Sequence, residues 1–347
     1  MPKKKTIITF KPKQVVKRLF AALPDRARDV VTGRFGLGTT TTRMTLEKIG
    51  EKYGITRERV RQIENYSITN IRKSDAYKKE ATVFEEMAKI IEDLGTMITE
   101  DELLKHMSDD KSIQNHIHFL LVVGDAFTKE KENEQFHHRW YVDKKLAKSI
   151  EDALKKVYET IPDDALIPES EMIESFLQHI ENISDTYRNE EILKRWLTVS
   201  KRIGKNPLGE WGKSDSSNIK VKGMRDYAFL VIRRHGSPVH FREVAKLIEQ
   251  YFNKKAHVAT THNELIKDPR FVLVGRGLYA LKEWGYNSGP VRDVIKEILE
   301  KEGPLTREEI MEKVLKERYV KENTILVNLQ NSDYFKKDKN GRYSVVK

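Results

Sequence analysis

The stretch from Thr45 to Lys73, TLEKIGEKYGITRERVRQIENYSITNIRK, constrains the fold more than any other part of the chain. Thr45 is placed to cap a first helix, and Gly54 is placed to end it, because glycine readily takes the left-handed conformation that follows a helix. Thr56 is then placed to cap a second helix that runs to about Lys73. Two helices joined by so short a turn predict a helix-turn-helix.

The second of these helices has two chemically different faces. An apolar stripe recurs at helical spacing and is predicted to face the core: Val60, Ile63, Ser67 and Ile71. The opposite side carries polar side chains in the first turns: Glu58, Arg61, Gln62 and Asn65, with Arg57 beside them. The pattern predicts a helix that is packed on one side and open to a partner on the other.

The polar face has the chemistry of a helix that reads bases. Arginine and glutamine form two-point hydrogen bonds with guanine and adenine edges in the major groove, and glutamate accepts from cytosine. In helix-turn-helix proteins the first turns of the second helix reach the bases. The candidate DNA-binding residues here are Thr56, Arg57, Glu58, Arg59, Arg61, Gln62 and Asn65. The alternative is an ordinary solvated face that carries charge without a partner.

At these residues the sequence resembles a known family. The core TLEKIGEKYGITRERVRQIE, with LPDRARDVVTGRFGLG upstream, is similar to region 4 of the housekeeping class of bacterial sigma factors. The resemblance covers about residues 12–73 and implies that this helix reads a promoter element, with Arg57, Glu58, Arg61 and Gln62 at the contacting positions. No stretch resembles the sigma region that melts the promoter, so promoter opening by this chain alone is not implied.

Charge is distributed unevenly along the 347 residues. Residues 1–73 hold 18 Lys and Arg against 6 Asp and Glu, residues 74–212 hold 19 against 29, and residues 213–347 hold 27 against 18. Residues 1–73, called the head below, are strongly basic. A basic segment of this kind is the electrostatic signature of phosphate binding. The acidic middle is expected to space the two basic ends, to contact protein, or to fold back on the head.

The chain after the head repeats one pattern of helices followed by a strand pair. The turn-helix pieces LGTMITEDELLKHM, HGSPVHFREVAKLI and EGPLTREEIMEKVL align with one another. Three helices with a two-stranded wing make a winged helix. The predicted division of the chain is a basic arm at 1–11, a helix-turn-helix domain at 12–78, and winged-helix-like repeats at 82–143, 147–212, 224–287 and 290–347.

The third repeat carries a second resemblance. GSPVHFREVAKLI followed by DPRFVLVGRGLYALKEWGY is similar to the HARE-type helix-turn-helix, a winged-helix module found in the delta subunit of bacterial RNA polymerase. Its Gly275-Arg276-Gly277 turn is predicted to join two strands. Arg276 is a candidate phosphate contact at the tip of the wing, or a solvated residue in a hairpin whose glycines accommodate positive φ.

The other residue patterns in the sequence argue against a catalytic site or a metal site. Trp140, Trp211 and Trp284 each lie at the end of a repeat. This recurrence favours side chains that fill the core of each repeat over a surface on which single-stranded nucleic acid stacks. The His116 and His118 pair is expected on different helix faces, and no cysteine is present to complete a zinc site. No phosphate-binding glycine loop or nucleophile triad is found. The sequence therefore predicts no enzyme, no metal and no cofactor.

The sequence as a whole predicts a mostly α-helical protein, with a helix-turn-helix head followed by tandem winged-helix-like repeats. No run reaches the about 18 apolar residues of a membrane span, so a cytoplasmic location is expected. The expected function is sequence-specific regulation of transcription, with double-stranded promoter DNA and bacterial RNA polymerase core as partners and no small-molecule substrate. The alternatives are an architectural or polymerase-accessory protein whose repeats bind protein, and the DNA-binding part of a restriction or modification system.

Overall fold

The computed structural model describes residues 8–180, 183–286 and 289–346. The predicted arm residues Lys3, Lys4 and Lys5 lie outside this range. The described chain is mostly α-helical with small antiparallel sheets, which confirms the predicted fold class. It forms two compact units: the first comprises the chain up to Asp163 with Ile167–Gly204 and Trp211–Ser214, and the second comprises Asp164–Leu166, Lys205–Glu210 and the chain from Asp215 onward.

The head of the first unit has four helices. These are α1 (Pro12–Leu19), α2 (Asp25–Phe35), α3 (Leu46–Tyr53) and α4 (Arg57–Lys73), with a 3-10 turn at Phe20–Ala22. Thr45 and Thr56 cap α3 and α4 by accepting from the Lys48 and Arg59 amides, at 3.3 and 3.2 Å. Gly54 ends α3 at φ 63°. The predicted caps and turn of the helix-turn-helix are confirmed.

Two modules complete the first unit. The first module contains α5 (Asp75–Lys79), α6 (Ala81–Asp93), β1 (Met97–Thr99), α7 (Glu100–Met107), α8 (Lys111–Val123), β2 (Thr128–Glu130) and β3 (Arg139–Tyr141). The second contains α9 (Lys144–Thr160), α10 (Glu169–His179), α11 (Glu190–Leu197), β4 (Ile203–Lys205) and β5 (Trp211–Lys213).

The second unit holds the third and fourth modules. The third contains α12 (Met224–His235), β6 (Val239–His240), α13 (Phe241–Phe252), α14 (Val258–Lys267), β7 (Phe271–Gly275) and β8 (Leu278–Leu281). The fourth contains α15 (Val291–Glu302), α16 (Arg307–Glu317), α17 (Glu322–Leu329), β9 (Phe335–Lys337) and β10 (Tyr343–Val345).

From α6 onward in the first module, and throughout the other three, the order is the same: helix, short strand or bridge, helix, helix, strand, strand. The first and third have three-stranded antiparallel sheets in the orders β1-β3-β2 and β6-β8-β7. In the second and fourth, the first strand is reduced to a single bridge, between Ile167 and Trp211 and between Leu305 and Tyr343. The sequence predicts only the strand pairs and misses this extra strand, which is two or three residues long where it exists and has no alternating pattern to reveal it.

The head and the first module share one hydrophobic core. Val15 and Leu19 of α1, Ile71 of α4, and Phe119 and Leu120 of α8 are all 0% exposed in the same cluster. Helix α8 is buried along Gln114–Leu121 because the head covers one side and the module covers the other. Both His116 and His118 are therefore buried, on the different sides of α8 that the sequence predicts.

The end of the predicted basic arm packs on this core as well. Ile8 contacts the cluster, and the Thr9 amide donates to Glu86 Oε1 at 2.7 Å. Arg18 of α1 forms a two-point ion pair with Glu80 of the first module. Acidic residues that follow the head in sequence thus fold back onto α1 and its N-terminal extension.

The tryptophans predicted to close the repeats are core residues. Trp140 and Trp211 are 2% and 3% exposed, and the half-buried Trp284 packs against the apolar clusters of the third module. None of the described helices combines the length and apolar character that a bilayer crossing requires.

Candidate nucleic-acid interface

Helix α4 is held in place by its apolar stripe. Val60, Ser67 and Ile71 are completely buried, and Ile63 is half-buried, as the sequence predicts. The Ser67 hydroxyl donates to the Ile63 carbonyl at 2.7 Å, which satisfies the one polar group in the stripe. The buried side therefore fixes which side chains α4 presents to solvent.

The predicted base-reading residues lie together on the exposed side of α4. Arg57, Glu58 and Arg61 have side chains that are 70%, 58% and 54% exposed. Gln62 and Asn65 are exposed beside them. These residues occupy the first turns of the helix, where a side chain can reach a base edge when the helix lies in the major groove.

Neighbouring side chains hold these groups in defined positions. Arg61 donates to Glu58 through Nε at 2.9 Å and Nη2 at 2.7 Å. This hydrogen bond lowers the pKa of the Glu58 carboxyl, which therefore stays ionised. Because a guanidinium carries five N–H groups and Glu58 engages two of them, Arg61 retains donors for a base while the pair is intact.

Two further contacts organise the same surface. Arg57 Nη1 lies 2.9 Å from Glu47 of α3, which joins the two helices of the motif. Arg59 Nη1 donates to Gln62 Oε1 at 3.0 Å, so the Gln62 amide group is oriented before any partner arrives. Thr56 uses its hydroxyl oxygen to cap α4. The structure thus places Thr56, Arg57, Glu58, Arg59, Arg61, Gln62 and Asn65 on one continuous stretch of surface.

An open groove of about 510 Å³ runs between α2 and this side of α4. Arg26 and Pro24 line it from α2 and its cap, and Arg59, Gln62 and Tyr66 line it from α4. Tyr66 is 57% exposed, which is unusual for so large a ring. Arg26 and Tyr66 are not among the residues predicted from the sequence, although Tyr66 follows Gln62 by one helical turn and that spacing could have revealed it.

The loop between α2 and α3 is fixed from the first module. Gly36 ends α2 at φ 64°, and a Cβ there would lie 2.7 Å from the Thr41 carbonyl oxygen, so only glycine fits. Asn115 Nδ2 of α8 donates to the Gly36 and Thr41 carbonyls at 3.0 and 2.9 Å. Arg43 Nε donates to the Asn115 side-chain oxygen at 3.1 Å. The loop is thus tied to α8 of the first module, next to the helix-turn-helix.

Arg276 belongs to the second unit. It lies exposed at the tip of the β7–β8 hairpin with φ 46°, between two glycines that also have positive φ. The Tyr319 amide donates to the Val274 carbonyl at 2.8 Å, and the Gly275 backbone packs against the Tyr319 carbonyl. The fourth module therefore supports the base of this wing.

His116 and His118 are the histidines that the sequence raises as possible metal ligands. In the described part of the chain, no three His, Asp or Glu side chains are grouped to hold a metal ion. His118 Nε2 instead lies 3.4 Å from Glu100 Oε1, inside a buried polar cluster with Lys129.

Comparison with known proteins agrees with the geometry of the head. The family described as Sigma-70, region 4 matches residues 19–73. The matched segment runs from the end of α1 to the last residue of α4 and includes every predicted DNA-reading position of the head. The match supports a DNA-binding helix-turn-helix of the sigma and transcription-regulator type at residues 19–73.

Proposed function

We propose that the chain is a sequence-specific regulator of transcription initiation that reads promoter DNA through α4 and associates with RNA polymerase. The observation that carries the proposal is the arrangement of Arg57, Glu58, Arg61 and Gln62. They are exposed together in the first two turns of a helix that is fully packed along its opposite side. The region 4 match supports the same assignment.

Base reading follows from the geometry of these side chains. The Arg61 fork matches the two acceptors that guanine presents in the major groove, and the Gln62 amide matches the donor and acceptor of adenine. Glu58, kept ionised by Arg61, is repelled by phosphate, and on DNA it can accept a hydrogen bond from a base donor such as the cytosine amino group. A carboxylate at this position favours sequence reading over attachment to the backbone alone.

The experiment is a selection of duplexes from a random library by the full chain, followed by affinity measurement on selected and scrambled sites at two salt concentrations. A specific reader gives a selected motif and a ratio of affinities of at least about 10³. Uniform recovery of the library would contradict sequence reading.

Association with polymerase is tested separately. The full chain is mixed with RNA polymerase core, without DNA, and the mixture is separated by size. Co-elution supports the partner proposal. We expect core polymerase with this chain alone to leave a linear promoter closed, because no segment resembles the promoter-melting region of sigma factors.

A further inference from the structure

A second concave site lies in the first unit, away from the reading surface. It is a cleft of about 430 Å³ between α1, the Phe20–Ala22 turn, α2 and α8. Arg28 of α2 lines this cleft, whereas Arg26 lines the groove beside α4. Two helical positions correspond to about 200° around the axis, so the two sites are on opposite sides of α2.

The cleft is lined by cationic side chains and no carboxylate. Its charged or ionisable lining residues are Lys13, Lys17, Arg28 and His116. In the described part of the chain neither Lys13 nor Lys17 forms an ion pair, although Arg18 on the same helix pairs with Glu80. The nearest carboxylate to Arg28 is Asp25, at 3.4 Å from Nη1, and its side chain is 96% exposed. The positive charge in the cleft is therefore left for a ligand.

Arg28 carries a polar atom that the fold leaves unsatisfied. Its Nη2 donates to the Leu23 carbonyl at 3.2 Å, but its Nε is buried and has no hydrogen-bond partner among the described residues. A buried donor without an acceptor destabilises the folded state. Because this Nε is inaccessible, a ligand in the cleft would meet Arg28 through its other N–H groups, on a side chain that is 43% exposed.

His116 adds a polar group to the wall of the cleft, and its ring resonance can report on ligand binding. Its Nδ1 lies 2.7 Å from the Ser112 carbonyl, so Nδ1 carries the proton and Nε2 is the second titrating atom. Burial lowers the pKa of His116, and the positive charge of Lys13 lowers it further. A bound anion would act on this pKa in the opposite direction.

The remaining wall of the cleft is apolar. Phe20 and Leu37 line it together with small aliphatic side chains. Ligand sites in proteins have volumes of about 300–1,000 Å³ and combine an apolar wall with a few convergent polar groups. The lining therefore favours a small ligand that has both a charged end and an apolar end.

We propose that this cleft binds a nucleoside triphosphate, with the phosphates at Lys13, Lys17 and Arg28 and the base against Phe20 and Leu37. Lysine binds phosphate as a point charge and arginine binds it through its N–H fork. The ligand would contact α1, α2 and α8 together, and so would join the head to the first module. The proposal is independent of the DNA-reading role of α4.

The test is calorimetric titration of the full chain with ATP, GTP and inorganic phosphate. We expect ATP or GTP to saturate one site and to bind at least tenfold more tightly than phosphate, because phosphate lacks the group that fits the apolar wall. The double variant Lys13→Ala/Lys17→Ala should weaken nucleotide binding at least tenfold. Lys11→Ala, which removes one charge from the N-cap of the same helix, is the matched control and should change binding less than twofold.

A second readout uses the unmodified protein and does not depend on variants. Saturating nucleotide should shift the His116 ring resonance and raise its pKa in an NMR titration. Absence of saturable binding by ATP and GTP, or equal nucleotide affinity in the double variant and the Lys11→Ala control, overturns the proposal. Loss of duplex affinity in the double variant, without nucleotide binding by the unmodified chain, would also overturn it and assign the cleft to DNA backbone contact. Arg61→Ala should leave nucleotide binding intact, which separates this site from the function of α4.

Discussion

The Arg72 side chain near the end of α4 caps the C-terminus of α8. Its Nε donates to the Val123 carbonyl at 2.8 Å, and its Nη2 donates to the Val122 and Gly124 carbonyls at 3.0 and 3.2 Å. The last carbonyls of a helix lack intrahelical partners and carry partial negative charge, so a guanidinium stabilises them. Helix α4 is thereby joined at its C-terminal end to the first module.

Arg72→Ala should lower the free energy of unfolding of the first unit by about 1 kcal/mol, because the carbonyls lose a charged donor but remain partly accessible to water. Urea unfolding followed by circular dichroism measures the change. Lys73→Ala is the matched control, since its side chain is exposed and forms no ion pair in the described residues. Equal stability of the two variants would show that the cap contributes nothing.

A chain truncated after residue 78 should not fold on its own. Truncation exposes Val15, Leu19 and Ile71, which are fully buried against the first module in the intact protein. Burial of such side chains stabilises by about 1.5–3 kcal/mol each, and a small domain has little stability to lose. We expect residues 1–143 to unfold cooperatively on heating and residues 1–78 to give no cooperative transition. A sharp transition for the shorter fragment would contradict the shared core.

The buried polar cluster around Glu100 in the first module should make the free energy of unfolding depend on pH. Burial by itself would raise the pKa of Glu100, but hydrogen bonds from His118 and Lys129 hold it well below its usual range. Trp140 Nε1 also donates to Glu100 at 3.0 Å. Because the folded pKa is depressed, the contribution of Glu100 is full above its unfolded pKa of about 4.3 and is lost as the pH falls below that value.

Glu100→Gln should therefore destabilise the protein by about 2–4 kcal/mol at pH 7, because Lys129 loses its ionic partner in a mostly buried site. The difference from the unmodified protein should shrink as the pH falls from 5 to 3. Urea unfolding of both proteins across that range measures it. A difference that stays constant with pH would show that the charge on Glu100 is not what stabilises the cluster.

Arg318 should determine the stability of the second unit. This buried residue at the end of α16 donates to the Leu273 carbonyl of β7 and, through Nη2, to the Gly289 carbonyl at 2.8 Å. Arg318→Met keeps much of the volume but removes these donors, and we expect a loss of about 1–3 kcal/mol. Hydrogen exchange at the Tyr319 amide, which donates to Val274, should also quicken. Arg307→Met on the exposed start of α16 is the control and should leave both measurements unchanged.

The helix-turn-helix is predictable from sequence because its determinants are local. Thr45, Gly54 and Thr56 act within one or two turns of their own positions, and the stripe from Val60 to Ile71 follows from helical periodicity. The buried and exposed faces of α4 could therefore be assigned correctly in advance, and base reading by the exposed residues stays a prediction.

The parts that the sequence does not reveal depend on distant contacts. Nothing in the composition of α8 shows that one side of it covers the head, or that Asn115 holds the loop at Gly36 from 79 positions away. The cleft at Lys13 and His116 is likewise assembled from segments far apart in sequence. The extra strands β1 and β6 of the first and third modules are missed because strands of two or three residues carry no periodic signal.

Arg61 is proposed to read a base and not to serve only as a positive charge. Arg61→Lys keeps the charge but removes the two-point fork, so it separates the two roles. The measurement is the affinity of the unmodified chain and of Arg61→Lys for the selected site, for its single-base variants and for random duplex, at two salt concentrations. We predict that Arg61→Lys weakens the selected site by about 1–3 kcal/mol and abolishes discrimination at one base position, with random-duplex affinity and salt dependence unchanged. Equal weakening of the selected site and random duplex, with discrimination intact at every position, would contradict base reading by Arg61.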